Sequence, residues 1–400
     1  MNKKQRRTKP TTPQARPGTE DPIKNRILTM RKAKGFSQIK LANRVGLTRQ
    51  AMHAIEQNQY LPNTSMALQL ARALECTVED LFSLSPDGQK MEVELLGARP
   101  VKGQPLRVNI SQVGTRVVAR PLSQLGDMLN YVVPADGIVT GTHPHTKNNR
   151  HASQVHVNLL HDHEHIKQNI VIAGCDPSLF LAGEHVRHHH AFAGVTNWTM
   201  GSTKALKALL QNEVHMAGVH LVDAQSGESN LPYLKQHVRG SDFVGIRFAS
   251  WAQGFIVRSD NPKYIRSVDD LAKRGIQLVN RETGSGARTL LDAVLKKSGI
   301  PGKQVKGYEH EVPSHLEVAR HIRDGLADVG IGVESAARQY GLRFIPLREE
   351  QYDLILRKDI LASHPTISRL FDAIVSRPFR QELLALGGYD LSEIGKSLNW

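Results

Sequence analysis

The stretch FSQIKLANRVGLTRQAMHAIEQNQ, residues 36–59, limits what this chain can fold into more than any other. Ser37 and Thr48 are residue types that cap helix starts by accepting a backbone N–H, and Gly46 is the type that ends a helix in a left-handed turn. Only Gly46 and Leu47 separate the first helical segment from the cap of the second, so the two helices must meet at a sharp angle. A further segment, NRILTMRKAKG, precedes them and ends at Gly35. Leu41, Ala42, Leu47, Met52 and Ile55 recur on one helical face and read as core. That is a helix-turn-helix, with a polar tip at the start of its second helix.

Charge is consistent with a polyanionic partner. The 400 residues carry 52 Lys and Arg against 38 Asp and Glu, a formal net charge of +14. Residues 1–20 hold Lys3, Lys4, Arg6, Arg7, Lys9 and Arg16 against Glu20 alone, and read as a disordered basic tail that can touch phosphates. The two cysteines, Cys76 and Cys175, cannot form a disulfide framework, and no secretory leader is evident. No run of about 18 apolar residues suggests a membrane span. A soluble, cytoplasmic protein is expected, with no membrane partner.

The segment SQIKLANRVGLTRQAMHAIEQNQYLPNTSMALQLARALECTVEDLF resembles the XRE/Cro/CI-type repressor domain. The resemblance implies that the third helix of residues 21–84 enters the major groove of an operator. By position, Arg49 and Gln50 are then the base readers, Gln38 and Thr48 lie close to phosphates, and His53 reaches the backbone. Such heads commonly bind as dimers on two half-sites, so a homodimer is expected.

Beyond the turn-rich SPDGQK at 85–90, the stretches MEVELLGARP, PLRVNISQVGTRVVARPL and VHVNLL read as strands, giving a β-rich connecting subdomain over residues 90–165. VPADGIV at 133–139 faintly resembles the carboxy-terminal β domain of molybdopterin molybdotransferases. Eleven of the 19 histidines lie between His143 and His190. His161, His163 and His165 share one face if extended, with Asp162 and Glu164 nearby, yet clustered surface histidines more often bind metal adventitiously, and no metal site is assigned.

From residue 166 to 400, strand-like and helix-like stretches alternate, which means parallel strands with crossover helices. In such sheets ligands sit at the carboxyl ends of strands, beside helix N-termini whose free N–H groups favour anions. Three turns carry the right residues: Asp176-Pro177-Ser178, Gly201-Ser202-Thr203, and Thr283-Gly284-Ser285-Gly286, the last followed by Arg288. Each alone is ordinarily a cap; three that converge make a cage of neutral donors.

The stretches SVDDLAKRGIQLVNRETGSGAR and GLADVGIGVESAARQYGLRFIPLREEQYDLILRKD resemble the type II periplasmic binding protein fold in its regulator-fused form, nearest to molybdate- and tungstate-type proteins. The resemblance implies two lobes hinged near Ala249–Gly254 and Arg343–Leu347 and closing on a ligand. Asp176, Ser178, Ser202 and Thr203 then come from lobe one, and Thr283, Gly284, Ser285, Gly286 and Arg288 from lobe two, with Glu334 facing the cleft. A pterin-linked ligand would use Trp198, Phe248 or Trp251, residues otherwise read as core.

An enzyme is not expected. MGSTK lacks the glycine-lysine pair of a phosphate-binding loop, TGSGAR lacks nucleophile-elbow spacing, and Cys175 reads as buried rather than reactive. The chain is expected to be multi-domain: an all-α helix-turn-helix head, a β-rich connection and an α/β two-lobed sensor. It reads as a one-component regulator binding double-stranded DNA and a small anionic ligand, an oxyanion or pterin-related, with no cofactor. Two alternatives stay open: an enzyme or carrier of molybdenum-cofactor metabolism that also binds DNA, and a repressor that senses metal through the histidine clusters.

Overall fold

The computed structural model describes residues 23–400 other than 85–89, 98–100, 102–103, 126, 143–151, 162, 191–192, 224–225, 239–241 and 399. The basic tail at 1–20, the histidines His143, His145 and His151, and Asp162 lie outside the described residues. The chain divides into two compact units, Met1–Gln89 and Lys90–Trp400.

Among the described residues of the first unit, five helices follow one another: α1 (Ile27–Ala33), α2 (Gln38–Arg44), α3 (Arg49–Glu56), α4 (Thr64–Leu74) and α5 (Val78–Leu81). Local chemistry sets their starts. Ser37 Oγ accepts from Lys40 N and Thr48 Oγ1 from Ala51 N, both at 3.1 Å, and Asn63 Oδ1 accepts from Met66 N at 2.9 Å. Gly46 adopts φ +70°, and Leu47 N donates back to Ala42 O at 2.8 Å, which fixes the turn between α2 and α3. Ile27, Leu41, Met52, Ile55, Leu70 and Leu74 are fully buried among these helices. Each such side chain contributes about 1.5–3 kcal/mol of burial. Strands β1 (Ile23–Asn25) and β2 (Phe82–Leu84) pair antiparallel and tie the ends of the unit together.

The second unit opens with a closed five-stranded barrel, β3 (Lys90–Leu96), β4 (Leu106–Val113), β5 (Arg116–Pro121), β6 (Gly137–Thr142) and β7 (Ala152–Leu159), ordered β3-β5-β4-β6-β7. Alternate residues such as Val93, Leu95, Val108, Ile110, Val155 and Val157 fill its interior. Two short helices attach to it, α6 (Asp127–Val132) and α7 (His163–Gln168). The latter corrects the extended reading of the histidines: His163 and His165 lie on a helix, His161 precedes it with its ring centroid 4.7 Å from that of His165, and His163 is exposed.

Buried polar contacts dock the barrel on residues 169–400. Asn169 donates to Ile110 O at 3.0 Å and to Asp136 Oδ1 at 3.1 Å, and Arg120 pairs with Glu213 at 2.9 Å. Asp136, inside VPADGIV, also accepts from Ile110 N and Asn109.

The rest is an α/β clamp. Its elements are β8 (Ile170–Gly174), α8 (Ser178–His189), β9 (Val195–Thr199), α9 (Ser202–Leu210), β10 (Met216–Val219), α10 (Leu231–His237), β11 (Phe243–Val257), β12 (Leu278–Arg281), α11 (Gly286–Lys297), β13 (Glu311–Val312), α12 (His315–Arg323), β14 (Val329–Val333), α13 (Glu334–Gln339) and β15 (Arg343–Arg357). Their strands form one sheet ordered β13-β12-β14-β11-β15-β10-β8-β9, with the short strands Tyr389–Asp390 and Ser397–Leu398 pairing on β11. Parallel strands β9, β8 and β10 build the first lobe and parallel β13, β12 and β14 the second. The antiparallel pair β11 and β15 runs through both, with irregular register between Arg247 and Ala249 and between Gln253 and Gly254. The first expected hinge falls on this segment. Its partner across the ladder is Arg348–Tyr352 rather than the expected Arg343–Leu347, which pairs within the second lobe. Gly254 is required where the strands cross, because a Cβ there would sit 2.1 Å from Ile345 O.

Burial raises the Asp136 carboxyl from its ordinary 3.8 to about 6, against the pull of its hydrogen bonds from Ile110, Asn169 and Asn109. Its folded pKa exceeds the unfolded one, so its share of stability is complete below pH 3.8 and is lost as pH rises through about 6, on the order of 3 kcal/mol in all. Unfolding free energies of the wild type relative to Asp136→Asn should fall across that window; a constant difference contradicts the assignment.

Candidate functional site

The first candidate surface lies on the head. Thr48, Arg49, Gln50 and His53 are exposed together on the first two turns of α3, the tip left polar by the sequence. Gln38 opens α2 beside them, but its amide donates to Glu56 Oε2 at 2.9 Å and lies 3.5 Å from His53 Nδ1. Glu56 in turn accepts from the buried Arg31 at 2.5 Å. A buried Arg31–Glu56 pair therefore braces α1 against α3 and holds Gln38, an arrangement the apolar pattern does not reveal.

The second candidate site is in the clamp, where two of the three turns singled out in the sequence meet and Cys175, which precedes the third, reaches the same point. Gly201-Ser202-Thr203 and the Gly284 turn touch directly across the lobes: Thr203 Oγ1 donates to Gly284 O at 2.8 Å. Both turns close on His220, at the end of β10. Ser202 Oγ accepts from His220 N at 3.1 Å. Gly286 lies so near that a Cβ would sit 2.2 Å from His220 O and 2.4 Å from its ring. Cys175, which leads into the Asp176 turn, places its Sγ 3.1 Å from His220 Nε2.

His220 is thus the hub of both lobes, and its other ring nitrogen is held from the hinge. Nδ1 lies 2.8 Å from Glu350 Oε2, and Gln253 donates to the same oxygen at 2.6 Å. Burial alone pushes the imidazole down, but the sulfur of Cys175 and the carboxylate of Glu350 outweigh it and raise it to about 10. His315, at the start of α12, has its ring centroid 5.9 Å from that of His220. Burial, then the charges of Arg281 and His220, hold His315 well below the ordinary histidine range. Burial also raises Asp176, which accepts from Ser178 N at 2.8 Å and Tyr389 Oη at 3.0 Å.

Several buried polar atoms around the hub have no partner among the described residues, including Trp251 Nε1, Arg281 Nη1 and both ring nitrogens of His315. Leaving such a group unpaired costs about 1–3 kcal/mol. Trp251 stands 5.5 Å from His220 between ring centroids, whereas Phe248 packs in the core on Phe379 and Tyr352, and Arg120 covers Trp198.

The remaining sequence candidates are committed elsewhere. Arg288 bonds Asp292 at 3.1 Å and Glu311 at 3.0 Å and lies over the Tyr308 ring; Thr283 donates to the same Glu311 oxygen at 3.0 Å. Ser285 caps α11 by accepting from Arg288 N. Glu334 pairs with Arg338 on its own helix at 2.7 Å. The deep cation is instead Arg281, fully buried and paired with Glu282 at 2.9 Å. Sequence reasoning missed Arg281, His220, His315, Gln253 and Glu350; the available signal was a charged or polar residue closing or interrupting an apolar strand, as in IQLVNR and HMAGVH.

Residues 183–375 match the family described as PBP superfamily domain, and residues 27–81 match the helix-turn-helix family. The protein YvgK of Bacillus subtilis (strain 168) is 32% identical over 230 residues, 58% of this chain and 73% of that protein. The HTH-type transcriptional regulator YgzD of the same organism is 38% identical over 65 residues, 16% of this chain and 98% of that one. Among solved structures, a Clostridium perfringens protein assigned to the phosphate ABC transporter substrate-binding proteins, with bound phosphate, has 12% identity and a TM-score of 0.43, covering 57% of this chain and 99% of its own. No helix among the described residues is long and apolar enough to cross a membrane. The chain belongs to the family that includes YvgK and carries a PBP superfamily domain behind a helix-turn-helix domain.

Proposed function

We propose that this is a cytoplasmic one-component transcriptional regulator of the XRE kind that binds operator DNA as a homodimer and senses a small anionic ligand in its clamp. The observation that carries the ligand reading is the meeting of serine- and glycine-opened turns from both lobes on His220. Helix starts and donor-only groups such as Trp251 Nε1 and Arg281 Nη1 suit a ligand rich in acceptor oxygens. With Arg288 tied to Asp292 and Glu311, and Arg281 to Glu282, the countercharge falls on His220, while Arg281 offers its unpartnered Nη1 as a donor. A tetrahedral oxyanion of the molybdate or tungstate type fits this donor set, and a pterin-linked relative of it would use Trp251. Ligand binding closes the lobes, and closure changes the DNA affinity of the heads by as much as the ligand prefers the closed form.

A second reading has one observation in its favour. Cys175, His220 and Glu350 stand in line at 3.1 and 2.8 Å, the order of nucleophile, base and orienting carboxylate. An enzyme or carrier of molybdenum-cofactor metabolism that also binds DNA would use that line, and turnover of the bound ligand would establish it.

Thermal unfolding of the full chain against molybdate, tungstate, sulfate and phosphate tests the anion. A ligand at about 100 times its dissociation constant adds roughly 2.7 kcal/mol, so a clear midpoint rise is expected with one of them, and no rise with any rejects the oxyanion. Gly286→Ala forces a Cβ into His220 and should abolish that rise while the protein still folds; an undiminished rise means that closure does not bring these turns together. Arg49→Ala should cost about 1–3 kcal/mol in operator binding, lost as specificity at one base pair, with ligand binding untouched. An unchanged footprint removes Arg49 as a base reader.

A further inference from the structure

We propose that Cys175, His220 and His315 form a metal site for a single thiophilic divalent cation of the Zn2+ type, and that the bound ion ties the two lobes of the clamp together.

The ligand atoms of these three buried side chains all lie within 4.8 Å of one another, with Cys175 Sγ 3.1 Å from His220 Nε2. A tetrahedral ion bound at about 2.3 Å to sulfur and about 2.0–2.1 Å to nitrogen holds such atoms roughly 3.5 Å apart, so small side-chain adjustments complete the triangle. One sulfur and two imidazoles select a borderline or soft cation and reject Ca2+ and Mg2+, which take oxygen.

Two further observations point to a ligand. Neither ring nitrogen of His315 has a partner among the described residues, though the residue is only 1% exposed. The far nitrogen of His220 is held by Glu350, itself fixed by Gln253, which is the carboxylate–histidine arrangement that orients a metal-binding imidazole. Charge also balances: a thiolate and Glu350 supply two negative charges against a divalent ion, and the neighbouring Arg281 is already paired with Glu282.

The placement gives the ion a role. Cys175 follows β8 and His220 follows β10 in the first lobe, while His315 opens α12 in the second, so coordination crosses the cleft. This site is distinct from the surface histidines noted in the sequence, of which His185 is engaged with Glu382 at 2.7 Å. It uses none of the helix-start N–H groups assigned to the anion but shares His220 with it, so the two readings are tested separately, the anion in the metal-stripped protein.

The test is titration of the metal-stripped full chain with Co2+ as a spectroscopic stand-in for Zn2+. The expected result is one equivalent bound with a sulfur-to-cobalt charge-transfer band in the near ultraviolet, displaced by Zn2+ and accompanied by a higher unfolding midpoint. Cys175→Ser should lose the band and Cys76→Ser should keep it. Glu350→Gln should keep the band with affinity weakened about 10–100-fold. If Cys175→Ser fails to fold, His315→Gln, which leaves the sulfur in place, must weaken Co2+ by at least about 10-fold. A wild-type titration without the band, a band that survives Cys175→Ser, or Co2+ affinity indifferent to His315→Gln overturns the proposal. Oxyanion stabilisation is read in the stripped protein, so either reading can fail without the other.

Discussion

The clamp depends on His220 being gripped from both sides. One ring nitrogen meets Cys175 and the other meets Glu350, all three buried. Taking a histidine and a carboxylate out of water is costly, and breaking such a pair by removing one partner typically costs about 3–5 kcal/mol. The cost is sustained because the residues come from three places: the end of β8, the end of β10, and the hinge strand β15. Their pairing aligns the floor of one lobe with the hinge, and the close approach of Gly286 and Thr203–Gly284 then joins the second lobe to the same point.

The hinge itself follows from two long strands. β11 and β15 serve both lobes, and the register irregularities flank Ala249–Gln253, where the polar pair of Gln253 and Glu350 sits. Through Glu350, His220 is bonded directly to that segment. Buried Arg247, bonded to Asp353, Gln351 and Glu393, stiffens the end of the same ladder within the first lobe.

What was legible in the sequence was local. Ser37, Thr48 and Ser285 each accept from a backbone N–H three residues on, a relation that spacing alone encodes, and the glycines at 46 and 284 adopt the positive φ their turns demand. The exposed tip of α3 and the three strand-to-helix turns follow from the same signals. What escaped was long-range and polar. Glu350 meets His220 across 130 residues, and Arg31 meets Glu56 across 25, with no periodicity to announce either. Arg288 looked like an anion ligand because it follows a helix start; its partners Glu311 and Asp292 draw it away. His161, His163 and His165 looked extended because the strand through Leu159 is; the short helix α7 takes up His163 and His165 instead.

Coupling between clamp and head is the central claim, and the most direct measurement is operator affinity, by fluorescence anisotropy on a site selected from random DNA by the full chain, with and without a ligand that stabilises the clamp. Ligand-driven closure requires the affinity to change by a factor of about 5–150, the usual range for linked sites. A ligand that demonstrably binds the clamp yet leaves operator affinity unchanged contradicts it.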